Sequence, residues 1–191
     1  KEKLHDRYLF HRTPIKTQGN NMQQVNVFIE TSSRFRGNVE RKCGYVLSTQ
    51  LRTGKETREH FGRVTGTYHQ AILLTMVDAL NHMTRTCDVC FYISDLYVTS
   101  RLGKITEMAG SGWLDTKGKP IANREEWRRL FKAINQLPDP HKISAKTEKH
   151  SYSAWLREEM KHRECGRILG QGLEPAPGAR QINNGMSGYH Y

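Results

Sequence analysis

Residues 25–31 (VNVFIET) constrain this chain more than any other stretch. Val25, Val27 and Ile29 alternate with Asn26, Phe28 and Glu30, the period of a β-strand buried on at least one face. Glu30 puts a carboxylate at the end of that strand. Such a group is costly to bury unless a cation, a hydrogen-bond network or water meets it. Two readings stay open here: a half-exposed glutamate at a strand terminus, or a metal ligand.

The rest of the chain supplies partners for this strand. Residues 1–24 are polar and basic, with Pro14 and Gly19, and read as a leader or linker with at most a short helix near 4–10. After the first strand comes SSRFRGNVERK, a basic loop with a turn signal at Gly37-Asn38. Residues 44–51 and 56–64 read as strands two and three, joined by a hairpin turn at Thr53-Gly54. At 68–83 the period changes. Ile72, Leu73, Met76, Val77 and Leu80 form a helical stripe, with Thr67 as N-cap. Residues 89–94 (VCFYIS) form a continuous apolar run, suited to a strand covered on both faces. Asp95 then caps a helix over 96–106, ended by Gly110-Ser111-Gly112, and a loop spans 113–121. Helices are expected over 125–135 and 152–162, with a short strand at 142–146 between them. From 166 the composition turns to Gly, Pro, Asn and Gln, so 166–191 reads as a flexible tail and 25–165 as the domain. The order β-β-β-α-β-α-α-β-α implies an α/β fold, a mixed sheet with helices on both faces.

Charge narrows the partners. Lys+Arg number 30 against 19 Asp+Glu, giving +11 and a pI near 9.7, a balance that suits a polyanion and above all nucleic acid. Arg34, Arg36, Arg41 and Lys42 cluster on the first loop, and Lys117, Lys119, Arg124, Arg128 and Arg129 form a second group. Singly, each is an ordinary solvated charge; the clustering is what points to phosphates. With 36% apolar residues and a mean hydropathy of −0.73, part of the 191 residues is expected outside the core. No apolar run approaches the ~20 residues of a membrane span. The cysteines are Cys43, Cys87, Cys90 and Cys165. Cys87 and Cys90 have zinc-like spacing, but no second pair follows and they enter a strand where i and i+3 face apart. Reduced thiols in a cytoplasmic protein are the expectation.

VFIETSS, Gly37-Asn38 with Gly44-Tyr45, Ser94-Asp95-Leu96-Tyr97-Val98 and the stretch from Gly112-Trp113 to Leu130 together resemble the bacterial-type ribonuclease H family, over about 25–162. VFIETSS is similar to its first strand and signature. Gly37-Asn38 with Gly44-Tyr45 is similar to its hairpin, and Ser94-Asp95-Leu96-Tyr97-Val98 to the segment after its fourth strand. Gly112-Trp113, Lys119-Pro120-Ile121-Ala122-Asn123 and Glu126-Trp127-Arg128-Arg129-Leu130 match a longer stretch without a gap. The resemblance implies a mixed five-stranded sheet, a three-strand antiparallel meander plus parallel strands. It also implies two-metal hydrolysis of the RNA strand of RNA–DNA hybrids, with Mg²⁺ or Mn²⁺ held by four carboxylates.

Those four positions fall on Glu30, His69, Ser94 and Ala154, with Asp95 one residue beyond Ser94. One acid keeps its place, one is displaced by a residue, and two are gone. Thr65 and Gly66 stand where the family has a hybrid-contacting Asn pair, and His150 resembles its flexible-loop histidine. The resemblance therefore implies a domain without nuclease activity or cofactor, kept as a nucleic-acid-binding or assembly platform for RNA, DNA or a hybrid. The alternatives are an active nuclease with a metal on Glu30, His69 and Asp95, and a protein-interaction subunit of a larger nucleoprotein complex.

Overall fold

The structure, a computed structural model, describes residues 22–168. Residues 1–21 of the leader expected over 1–24 and residues 169–191 of the expected tail lie outside the described residues, and Gln24 belongs to the first strand.

The strands β1 (Gln24–Thr31), β2 (Val39–Leu51) and β3 (Gly54–Gly66) form the expected meander. They are followed by α1 (Tyr68–Asn81), β4 (Asp88–Tyr92), α2 (Leu96–Leu102), α3 (Ile105–Gly110), α4 (Arg124–Asn135), β5 (Ile143–Lys146) and α5 (Ser153–His162). The sheet order is β3-β2-β1-β4-β5, so β1 is central, antiparallel to β2 and parallel to β4.

Strand parity sorts the two faces. Val27 and Ile29 join the core with Ile72, Leu73, Met76 and Leu80 of α1, while Phe28 and Glu30 turn to the opposite face, where α5 lies. Thr67 caps α1 with a full capping box, its hydroxyl accepting from the Gln70 N–H while Gln70 returns a bond to the Thr67 N–H. On the α5 side, Gly44 matters. A Cβ there would lie 2.8 Å from the Phe61 ring and 3.3 Å from Leu156, so only glycine lets α5 settle this close to β2.

Three expectations are corrected. β2 begins at Val39 instead of within the apolar run at 44, because the first loop closes earlier. Its early residues hide their strand character, since the inward-facing residue is a charged one, Arg41, paired across from Val64. The helix expected over 96–106 breaks at Gly103-Lys104 into α2 and α3. The tail does not start at 166. Gly166–Ile168 runs beside the outer edge of β3, with Arg63 N–H donating to Gly166 O (2.8 Å) and Ile168 N–H to Arg63 O (3.1 Å). Ile168 is 2% exposed and completes a small cluster with Cys43, Val64, Ala71 and Leu74. An edge strand presents unpaired backbone groups, and three residues of chain cover part of this one. The four cysteines are buried and free. Among the described residues no helix is long and apolar enough to cross a membrane.

Candidate functional site

The end of β1 carries Glu30 toward the first turn of α5. Ser153 and Arg157 stand one turn apart on that helix and share a face. The Ser153 hydroxyl donates to Glu30 Oε1. Arg157 grips both carboxylate oxygens, with Nη2 at 3.2 Å from Oε1 and 3.1 Å from Oε2, and Nε at 3.2 Å from Oε2. Arg34 Nη2 stands 4.0 Å from Oε2 and His150 Nε2 3.7 Å from Oε1. The carboxylate is 3% exposed and is met by a cation and a hydroxyl, the two things its burial requires. His150 is nearly buried beside the Phe28 ring, and this burial lowers its pKa despite the pull of Glu30.

A second pair forms at the start of α1. His69 Nδ1 lies 2.6 Å from Asp95 Oδ2. The other oxygen of Asp95 accepts from the N–H groups of Tyr97 (3.0 Å) and Val98 (3.2 Å), so one carboxylate both caps α2 and holds the histidine. The His69 ring packs on Tyr97, and the Arg101 guanidinium lies over the Tyr97 ring at 4.2 Å from its centre. Tyr68 lies close enough to feel Asp95 and Glu30 together. Burial first, and then those two charges, pushes its phenol up to about 12.

The structure thus joins His69 to Asp95 but sends Glu30 to α5. Ser94 and Ala154 are exposed. Sequence reasoning missed Ser153 and Arg157. The available signal was their i, i+4 spacing beside Leu156, with a cation one turn from the position where the acid is missing. Two Mg²⁺ ions need several carboxylate oxygens free to bridge them. Here Glu30 is engaged by a guanidinium, His69 offers imidazole, Ser94 a neutral hydroxyl and Ala154 nothing. This donor set does not fit a pair of hard ions. Nor does it assemble a single transition-metal site on Glu30, His69 and Asp95: among the described residues no group of three His, Cys, Asp or Glu is placed to hold an ion.

The basic residues divide in the same way. Arg34 and Arg36 are exposed on the first loop. Arg41 is a correction to the first patch: it is 1% exposed, and its Nη2 donates to the carbonyls of Phe35 (3.0 Å) and Gly37 (3.1 Å). It props the loop from inside, and burial lowers its pKa. Lys42 is half-buried, and its Nζ reaches Arg163 O (2.8 Å) and Lys161 O (3.5 Å) at the C-terminal end of α5. In the second patch Lys117 and Lys119 are exposed on a turn whose backbone N–H groups bond Asp115. Arg124 and Arg128 share Glu125, in exposed pairs worth about 0–1 kcal/mol that release easily to a phosphate. Arg129 is exposed beside them.

No protein-family model matches the chain. A ribonuclease H of Paracidovorax citrulli is 34% identical over 82 residues, 42% of this chain and 55% of that protein. A second relative, from Acidovorax, is spanned to 60% of its length, so the chain covers little more than half of these two curated relatives. A ribonuclease H of Lachnoclostridium phytofermentans is 30% identical over 118 residues, 59% of this chain and 75% of that protein. Among solved structures, LC9-RNase H1, a type 1 RNase H with the type 2 active-site motif, superposes with a TM-score of 0.53 at 17% identity, over 76% of this chain and 72% of its own. The foamy viral protease-reverse transcriptase in complex with dsDNA gives 0.51 at 11% identity, over 74% of this chain and 93% of that one. At such identities the structural likeness speaks for the fold alone. The sheet order, the residues at the end of β1 and the identity across three quarters of a curated relative agree: the chain belongs to the ribonuclease H family.

Proposed function

We propose that this chain is a ribonuclease H-type domain that does not hydrolyse nucleic acid and serves as a binding or assembly platform for it, in the cytoplasm. The observation that carries this reading is the Arg157 guanidinium on Glu30. A divalent ion approaching Glu30 would have to displace a bidentate cation and a serine hydroxyl, with Arg34 close by. Like charges at this range oppose such an ion by several kcal/mol at an intermediate dielectric. The oxygens of Asp95 are already engaged, one by His69 and the other by the first N–H groups of α2.

Binding rests on other groups. The net charge of +11 supports sequence-independent attraction to phosphates, and Arg34, Arg36, Lys117, Lys119 and Arg128 present it at the surface. The family, and a fold neighbour solved with dsDNA, make a nucleic-acid partner the natural one. The test is an RNA–DNA hybrid incubated with the purified chain in Mg²⁺ and in Mn²⁺, wild type beside Glu30→Gln. The expected result is no cleavage above background in either metal. Binding by fluorescence anisotropy should weaken steeply with salt and be unchanged or slightly tighter in Glu30→Gln. Cleavage by the wild type that disappears in Glu30→Gln would overturn the inactive reading.

A further inference from the structure

Away from this site the chain builds a second cluster of titratable groups, on the opposite face of the sheet. Asp78 of α1 is completely buried, and three rings gather on it. Tyr45 of β2 donates its hydroxyl to Asp78 Oδ2 at 2.9 Å. His60, paired with Tyr45 across β2 and β3, places Nδ1 2.9 Å from the same oxygen, a close contact without a linear hydrogen bond. His82, the C-cap residue of α1, places Nδ1 2.8 Å from the Asp78 carbonyl and 3.0 Å from the Tyr45 hydroxyl. His69 and His82 stand at opposite ends of α1, about 20 Å apart at 1.5 Å per residue, and Glu30 points to the other face of the sheet, so this cluster is separate from both.

The contacts assign the tautomers. A backbone carbonyl only accepts, so His82 Nδ1 must carry its proton. The Tyr45 phenol is raised far above its ordinary range by burial, then by Asp78, so it remains the donor and leaves a lone pair for that same N–H. A carboxylate oxygen 2.9 Å from His60 Nδ1 repels a lone pair and attracts a proton. Both neutral rings are therefore Nδ1-H, and both Nε2 atoms keep free lone pairs. His60 is 41% exposed at its side chain and His82 is exposed, so solvent reaches them. An imidazole whose other nitrogen donates to a carboxylate or a carbonyl is the arrangement that orients metal-ligating histidines, and His82 has it on the Asp78 carbonyl. With metal–nitrogen bonds near 2.0–2.1 Å, two imidazoles on one tetrahedral ion have ring centres about 5 Å apart. The His60 and His82 ring centres are 5.2 Å apart.

We propose that His60 and His82 form a two-imidazole site for a borderline divalent transition metal such as Zn²⁺ or Ni²⁺, completed by water, with Asp78 and Tyr45 as positioning residues. Imidazole nitrogen selects such ions over Mg²⁺. The site is independent of whether the chain cleaves or binds nucleic acid. It would tie the edge strand β3 to the end of α1.

The experiment is calorimetric titration of the full chain with ZnCl₂ or NiCl₂ at pH 7.5 in a non-chelating buffer, in the presence of excess Mg²⁺. The chain has nine histidines, so the readout is the difference between variants. His60→Gln and His82→Gln should each weaken one site at least tenfold, while His162→Gln, an exposed histidine on α5, should leave it intact. Thermal midpoints in chelator report whether each variant still folds. In the metal-free wild type, long-range ¹⁵N correlation spectra should show His60 and His82 as Nδ1-H tautomers. Unchanged metal binding in both His60→Gln and His82→Gln, or an Nε2-H tautomer at either residue, would overturn the proposal.

Discussion

Residues 166–168 test how far packing can override composition. The perturbation is truncation after Cys165, set beside Ile168→Ala in the full chain. Ile168 is 2% exposed, and burying an isoleucine side chain contributes about 1.5–3 kcal/mol. Ile→Ala in a core costs about 2–5 kcal/mol once the cavity is included. This cluster holds five residues at the sheet edge, where the surroundings can relax, so the low end applies, about 2 kcal/mol. The two backbone bonds to Arg63 add about 1 kcal/mol each. Truncation also removes the cost of ordering three residues, about 1–2 kcal/mol apiece, which offsets the two backbone bonds and most of the side-chain burial. Ile168→Ala should therefore destabilise by about 2 kcal/mol, a drop of about 4–8 °C in thermal midpoint for a domain of this size, and truncation by about 1 kcal/mol or less. Gly62 provides an internal check, because a Cβ there would sit 2.4 Å from Ile168 Cγ1. Gly62→Ala should expel the isoleucine and lose nearly the same stability, and adding Ile168→Ala should cost little more. Truncation after Ile168 should leave the midpoint in place. The assays are thermal and urea unfolding of these variants beside the wild type. A midpoint for Ile168→Ala within about 1 °C of wild type, or additive losses in the double variant, would refute the argument.

Two more outcomes follow from the Glu30 site. Arg157→Met should destabilise the fold by about 1–2 kcal/mol, less than the 3–5 of a fully buried pair because the arginine side chain is 50% exposed. Combining it with Glu30→Gln should recover most of that loss in urea unfolding, since a neutral amide no longer needs the cation, and strictly additive losses would contradict the pairing. Because burial lowers the pKa of folded His150 from its ordinary 6.5, the unfolded chain takes up this proton first as the pH falls. Stability from this group is then complete above about 6.5 and declines below it, by no more than about 1.4 kcal/mol per pH unit. His150→Phe should shrink the stability difference between pH 7.5 and 5.5, and an equal difference in both proteins would count against it.

The local elements are legible in the amino-acid order alone, because they follow from short-range physics. The alternation of 25–31 places β1, and the assembled sheet sets it at the centre. Thr67 and Asp95 announce two helix starts, since a short polar side chain before an apolar stripe satisfies orphan N–H groups whatever the rest of the chain does. The family motifs locate Glu30, His69, Ser94, Asp95 and Ala154, but do not say what each of them meets. Arg41 reads as one more surface arginine until the loop carbonyls of Phe35 and Gly37 close over it. Arg157 lies 127 residues from Glu30, and Ile168 packs beneath a glycine far earlier in the chain. Period, capping and turn chemistry act over a few residues, so the sequence carries them openly. Which charge neutralises a buried carboxylate, and which apolar side chain covers a sheet edge, depend on the crossing of α5 over β1 and β2. That crossing exists only once the sheet is assembled.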